Sequence, residues 1–395
     1  MSSPRSPTSP RWCWPPDLPS RQSAAASLLR STVPAIPLDN ETKVAVIVRT
    51  SFTARRLSRA ALLLAGVTAV AFTAACGGTG TESADGKTVT VYSADGVGGW
   101  YKNRFDEFTK ETGIAVNLVE AGSGEVVNRV DKEQSNPQAD VVVTLPPFIQ
   151  KAKQSGLLQP SGIDTAAVPA TDKDADGTYV TMANNYLCFI ANPAVDASAL
   201  TWDDLLKPEY KGKLQYSTPG QAGDGTAVLV LLQQLRGKQG ALDYLTALQA
   251  NNVGPSSSTG KLQAKVDKGE LLIANGDVQM NLTTVKEKGS KFSVFFPAAD
   301  GKRSTVSVPY MMGLAKGAPH KDDAAKLMSF LLAPDAQSKL GPEAFAVSAR
   351  TDVAAPAEGG PAATIKGVEV VPVDWNKVLS ELDADLAAYQ KATGS

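Results

Sequence analysis

Histidine is almost absent from this 395-residue chain, where His320 stands alone between Pro319 and Lys321. One histidine cannot furnish an ordinary zinc site, and it has no Ser or Asp partner motif for a catalytic triad. His320 reads as a solvated loop residue. Cysteine is nearly as scarce, with three in all. Cys13 and Cys76 fall ahead of the globular sequence, which leaves Cys188 alone in Tyr186-Leu187-Cys188-Phe189-Ile190. No disulfide within the fold is then possible, even in an oxidising compartment, and Cys188 reads as a small buried apolar residue. Charge of one sign is not in excess either: 39 Lys and Arg against 40 Asp and Glu give a net charge of -1. The chain lacks the basic surplus expected of a nucleic-acid binder and the acidic tail of a disordered partner region. A Gly-x-Ser-x-Gly elbow is missing, and no lysine follows the glycine-rich loops as in a P-loop. These absences argue against a hydrolase and against a nucleotide site, and no catalytic residue is expected.

Only one long apolar run is present. Arg55-Arg56-Leu57-Ser58-Arg59 leads into the uncharged stretch Ala60 to Ala75, which ends in Thr73-Ala74-Ala75-Cys76-Gly77-Gly78. A charged region, an apolar region and small residues follow in the order of a secretory signal. The run is about 16 residues long, short of the roughly 20 that span a bilayer. A cysteine directly after the small residues resembles a bacterial lipobox and makes Cys76 the expected lipidated first residue. Thr73 departs from the Leu usual at its position, and a plain signal peptide or an uncleaved anchor is the alternative. Residues 1–47 are rich in Pro, Ser and Arg without a sustained period, a composition that cannot form a core. They read as disordered, or as lying upstream of a true start at Val46 or Val48, if a GTG codon is read there. Residues 48–75 are then the signal peptide and 76–87 a polar tether.

The remaining residues, about 320, suffice for two domains with real cores. Thr88 to Ser93 alternates as a strand does, Trp100 to Thr112 has helical spacing, and Ile114 to Glu120 is a second strand. Glu125 to Glu133 reads as a helix. Ala139 to Thr144 is a continuous apolar run suited to a buried parallel strand. The succession predicts an α/β parallel sheet. Further on, Tyr179 to Ile190 is expected to be mostly extended, Trp202 to Leu206 a short helix, and Lys213 to Ser217 a strand. Thr226 to Leu235 and Gly240 to Ala250 are expected as two helices. Glu270 to Ala274 reads as a strand ending at an Asn275-Gly276 turn. Lys291 to Phe296 and Thr305 to Val308 are further strands, and Asp322 to Leu332 is a helix that Ala333 to Leu340 continues. A last amphipathic helix covers Trp375 to Lys391. A second α/β unit thus follows the first, with a cleft between them as the place for a small ligand.

Several strand ends in this reading carry small polar residues: Ser93, Ser123 between Gly122 and Gly124, and Thr144. The loop Ser217-Thr218-Pro219-Gly220-Gln221-Ala222-Gly223-Asp224-Gly225-Thr226 repeats the arrangement. Glycines let backbone approach a ligand, and the free N–H groups at a following helix start suit an oxyanion. Helix capping alone also accounts for Ser123. Tyr92, Tyr186 and Tyr310 offer a ring face to an ammonium or a hydroxyl to an oxyanion. Packing is the alternative for each. Asp95, Asp224 and Asp277 could pair with an amine, although each sits beside a Gly, where Asp is common for turn reasons alone.

The segments Tyr92 to Gly96, Glu120 to Glu133 and Asn136 to Pro147 resemble the extracytoplasmic solute-binding proteins of ABC importers. The nearest branch is the one assigned to 2-aminoethylphosphonate, within the group that also holds ferric-iron and thiamine binders. Leu214 to Ala227, Asn251 to Lys261 and Ala274 to Asn281 extend the likeness, which runs from Thr88 to Arg350. The resemblance implies a two-lobed α/β fold of the periplasmic-binding type (type II), with ligand trapped between lobes joined by crossover segments. Lobe one is expected over 88–183 and 309–350, and lobe two over 184–308 and 351–395. Ser93, Ser123 and Thr144 would line the cleft from lobe one, and Tyr186, Ser217, Thr218, Asp224 and Thr226 from lobe two, with Tyr310 on the return crossover. The implied partners are a small ligand, the permease and ATPase subunits of an importer, and the membrane through the lipid on Cys76. The chain is expected as a monomer without cofactor, metal or nucleic acid. Iron-binding relatives use an adjacent tyrosine pair, and no two tyrosines are adjacent here. Ferric iron, thiamine, a polyamine or another anion remain the alternative ligands on the same fold.

Overall fold

The structure is a computed structural model that describes residues 87–354 and 360–394. The expected leader, the signal segment, Cys76 and nearly all of the tether lie outside the described residues.

The first sheet grows from alternating elements: β1 (Thr88–Ala94), α1 (Gly98–Thr112), β2 (Ala115–Ala121), α2 (Ser123–Lys132), β3 (Val141–Thr144), α3 (Phe148–Gln154), β4 (Leu158–Gln159) and β5 (Tyr179–Asn184). β1 pairs in parallel with β2 on one side and β3 on the other. The unbroken apolar run of β3 has a direct cause. Val142 enters one core with Val126, Val127 and Ile149, while Val141 and Val143 enter another with Trp100, Phe105 and Phe108. A strand covered on both faces has no polar side to show.

The chain then builds β6 (Leu187–Ala191), β7 (Leu214–Gln215), α4 (Gly223–Leu248), α5 (Gly260–Asp267), β8 (Ile273–Asp277), α6 (Val278–Lys288), β9 (Ser293–Phe295), β10 (Ala298–Ala299) and β11 (Lys302–Thr305). It returns to the first sheet with β12 (Tyr310–Ala315), α7 (Lys321–Leu332), α8 (Pro334–Ser338), α9 (Leu340–Ala344) and β13 (Val347–Ser348). It ends with α10 (Gly360–Thr364), β14 (Glu369–Val370) and α11 (Trp375–Thr393). The first sheet has the order β13-β5-β12-β3-β1-β2, with β4 also on β12, and the second β7-β8-β6-β9, while β10, β11 and β14 form a small third sheet. Each of the two larger sheets carries its own helices, so the molecule is two-lobed.

Two crossover segments run side by side between the lobes. Leu187 N donates to Val306 O at 3.1 Å and Val308 N to Asn185 O at 2.9 Å, with a bridge between Tyr186 and Ser307. Backbone groups are thereby satisfied without a sheet on either side, as a hinge requires. α11 lies on α4 and also touches α3 of the first lobe. The hydroxyls of Tyr389 and Tyr216 meet at 2.8 Å in the interior, and Lys238 holds Glu381 and Asp385 at the rim.

Several expectations are corrected. Asn275-Gly276 does not turn the chain: both residues lie inside β8, opposite Phe189 and Cys188. Asn275 is there for its amide, which accepts from Ser217 N at 2.8 Å and donates to Ser217 Oγ at 3.0 Å. The two helices expected over 226–250 do form, as the two parts of α4, separated at Gly237, whose φ of 70° and ψ of 169° are not helical. Ala333 does not continue α7, because its extended backbone breaks the helix ahead of Pro334 and two short helices follow. The strand expected to reach Val308 ends at Thr305, where the crossover begins. His320 is not simply solvated. Its backbone N donates to Asp140 at 2.6 Å and its Nδ1 lies 3.1 Å from the other oxygen of that buried carboxylate, which fixes the start of α7 against β1. Cys188 is buried and free of disulfide, and burial pushes its thiol pKa up.

Candidate functional site

The carboxyl ends of β1, β2 and β3 point at the other lobe, as ligand-binding ends of such sheets do. β1 runs into Asp95, β2 into Gly122 and the start of α2, and β3 into Leu145. From the opposite side come the start of α4, the Ser258-Thr259 turn before α5, and Met280 on α6. Together they line a narrow cavity of about 10 Å³, bounded by Ala94, Asp95, Gly122, Ser123, Leu145, Ala222, Gly223, Asp224, Thr259 and Met280. No Lys or Arg lines it.

Ties between the lobes close around this cavity. Gly124 N donates to Gln221 O at 3.0 Å, Val97 N to the side-chain oxygen of Gln279 at 3.1 Å, and Ser258 Oγ to the Asp95 carboxylate. The approach is close enough to dictate residue type. A Cβ on Gly122 would stand 2.3 Å from Ser257 O and 3.2 Å from Gln221 O, both across the cleft. A Cβ on Gly225 would stand 2.1 Å from Ser217 O, so the first turn of α4 can sit on the preceding loop only with glycine there.

The cavity has two electrostatic poles. At one, the starts of α2 and α4 bring their first N–H groups and helix dipoles together with the Ser123 hydroxyl, a setting for an oxyanion. At the other, Asp95, Asp224 and Asp277 converge. Asp277 is partly spoken for: it caps α6 by accepting from Met280 N at 2.7 Å, and its other oxygen lies 3.3 Å from Tyr310 Oη. Asp224 is 3% exposed, and its Oδ1 has no partner. Burial, then the neighbouring Asp277 charge, pushes the Asp224 carboxyl well above the ordinary range. Burial likewise lifts Asp277, to about 6, against its bonds from Met280 N and Tyr310. An unpaired buried carboxylate is costly, and its natural complement is a cation.

The residues singled out from sequence fall into four places. Ser123 and Asp224 line the cavity. Ser217, Tyr310 and Ser93 lie directly behind it. Ser217 Oγ accepts from Thr259 Oγ1 and Asn275 Nδ2, both at 3.0 Å. Tyr310 Oη donates to Asp95 O at 2.8 Å. Ser93 Oγ donates to Ala94 O at 2.9 Å beside the Tyr101 hydroxyl. The remaining hydroxyls bond to backbone. Thr144 Oγ1 donates to Ser123 O at 3.1 Å, Thr218 Oγ1 accepts from Ser256 N at 3.0 Å, and Thr226 Oγ1 accepts from Gly220 N at 2.9 Å. Tyr186 packs half-buried against the cluster of Cys188, Val278 and Phe296, away from the cavity lining. Thr259 and Met280 were not foreseen. For Thr259 a signal existed, the hydroxyl run Ser256-Ser257-Ser258-Thr259 just ahead of a glycine and a helix.

Comparison with known proteins agrees with this architecture. The family of bacterial extracellular solute-binding proteins matches residues 89–341. A periplasmic protein of Salmonella typhimurium named for 2-aminoethylphosphonate binding is 46% identical over 317 residues, covering 78% of this chain and 93% of that protein. Among solved structures, the periplasmic binding protein P5PA superposes with a TM-score of 0.68 at 22% identity, over 78% of this chain and 99% of the other. The fructose-6-phosphate-bound binding protein AfuA of Actinobacillus pleuropneumoniae gives 0.67 at 20% identity, over the same 78% and 99%. At such identities the structural likeness speaks for the fold. Family match, relative and cleft together establish that the chain belongs to the bacterial extracellular solute-binding proteins.

Proposed function

We propose that this protein captures 2-aminoethylphosphonate outside the cytoplasm and hands it to the permease and ATPase of an ABC importer. The observation that carries the reading is the two-poled cavity without a basic side chain. A free phosphate would bring its charge to a cavity lined by Asp95 and Asp224, with the Asp277 charge beside them, and by no Lys or Arg. A zwitterion brings its own ammonium for the acidic wall, while N–H groups and the Ser123 hydroxyl take its phosphonate. Such charge-assisted bonds are about twice as strong as neutral ones. The name of the Salmonella typhimurium relative supports the same ligand.

The role is binding without chemistry. Residues 88–183 with 309–350, and 184–308 with 351–395, act as the two lobes, and ligand favours their closed arrangement through its differential affinity for it. Acyl chains on Cys76 hold the single chain near its membrane partners, each buried CH₂ contributing about 0.8 kcal/mol. Calorimetry with 2-aminoethylphosphonate, inorganic phosphate, ferric citrate and thiamine tests the assignment. The expected result is saturable heat with the aminophosphonate at a Kd of about 1 µM or below, near -8 kcal/mol, and none with the others. Heat from iron or thiamine alone would replace this ligand.

A further inference from the structure

Asp224, Asp277 and Asp95 form a carboxylate group whose members are unequally occupied. Asp95 receives Ser258 Oγ, and Asp277 receives Met280 N and faces Tyr310. Asp224 has an oxygen with no partner although it is nine-tenths buried and lines the cavity. The other titratable neighbours do not neutralise them. Tyr310 reaches in from β12, with Tyr101 of α1 behind it, and Cys188 of β6 lies beneath. Lys261, Lys288, Glu120 and Glu287 stand farther out, in the mouth of the cleft beside Asp95. Two buried carboxylates that near each other, without an interior cation, cannot both stay ionised cheaply.

We propose that capture of the ligand is an ion exchange, in which a proton leaves the Asp224–Asp277 pair for solvent as the ammonium enters and returns when the ligand departs. The inference rests on the aminophosphonate reading. One carboxyl O–H breaks, its proton goes to water, and the carboxylate so formed pairs with the cation, so charge at the aspartate pole is conserved. The exchange makes the site selective. A neutral group that cannot replace the proton gains nothing from the acidic wall. It also couples capture to pH. Burial raises both carboxyl pKa values, Asp277 to about 6. The proton-bound form therefore competes with ligand below that value, and affinity falls about tenfold per pH unit as pH drops. The same shift sets the sign for stability without ligand. The folded state binds more protons than the unfolded chain, so this contribution is full at low pH and is lost as pH rises through about 6.

The test is carbon NMR of the protein carrying labelled aspartate carboxyls, with Asp224→Asn and Asp277→Asn used to assign the signals. Without ligand, the pair should titrate far above the other aspartates. With saturating 2-aminoethylphosphonate both should remain ionised through that range. Calorimetry in buffers of different ionisation heat should give about one more proton released per ligand near pH 6 for the wild type than for Asp277→Asn. That difference cancels the ligand's own ionisation, and Asn keeps the helix cap. Ionised carboxylates throughout the ligand-free titration, or equal proton counts in the two proteins, would overturn the exchange alone. Absence of any binding heat would overturn the aminophosphonate reading and the exchange with it.

Discussion

Replacing Asp224 with asparagine should weaken 2-aminoethylphosphonate binding about 100-fold or more while raising the melting temperature of the ligand-free protein. Both halves follow from one fact, a carboxylate 3% exposed with an unpartnered oxygen. In the complex its charge is matched by ammonium, and truncating one member of a buried charge pair typically costs about 2–5 kcal/mol. Without ligand the same carboxylate is penalised by burial and by Asp277. An uncharged amide of equal size relieves that penalty, and a relief of about 1 kcal/mol moves a melting point by about 2–4 °C in a chain of this size. Calorimetry and thermal melts read the two effects separately. Affinity within about threefold of wild type would remove Asp224 from the cation pole.

Gly122→Ala should fold as well as the wild type yet bind about 10- to 100-fold more weakly, a loss of roughly 1–3 kcal/mol by the usual scale of overpacking. The backbone of Gly122 has φ -64° and ψ 151°, which alanine adopts without strain. The obstacle lies across the cleft, where the new methyl would stand 2.3 Å from Ser257 O. A methyl placed there penalises the closed arrangement and leaves the open one alone. Ligand affinity and ligand-induced compaction in X-ray scattering should therefore fall together, while the melting point without ligand changes little. Normal affinity with normal compaction would show that the lobes do not need to meet at this position.

How much of this was legible in the sequence depends on the range of the interaction concerned. The first sheet was readable because its signals are local: alternation in Thr88 to Ser93, the helical spacing of Tyr101, Phe105 and Phe108, and the unbroken Val141-Val142-Val143. Asn275-Gly276 misled for the same reason. The pair has strong local turn chemistry, and a tertiary amide bond to Ser217 outweighs it. β12 escaped notice, since Tyr310 to Ala315 is a central strand whose partners β3 and β5 lie far away in the chain. At the site, glycine and hydroxyl patterns marked the right loops, but they could not tell lining from scaffolding. Thr144, Thr218 and Thr226 share the chemistry of Ser123, yet their hydroxyls are taken up by backbone partners. That distinction depends on which way each side chain leans once the lobes are folded. The acidic pole shows the same limit: three aspartates spread over 183 positions of sequence, 95 to 277, gain their meaning only when packing brings them to one cavity.

A crystal structure of the protein grown with 2-aminoethylphosphonate tests the central claim most directly. The account predicts the ligand between the lobes, its nitrogen within hydrogen-bond distance of Asp224 and its phosphonate at Ser123 and the start of α2. Ligand bound outside this cavity, or turned with its phosphonate against the aspartates, would contradict it.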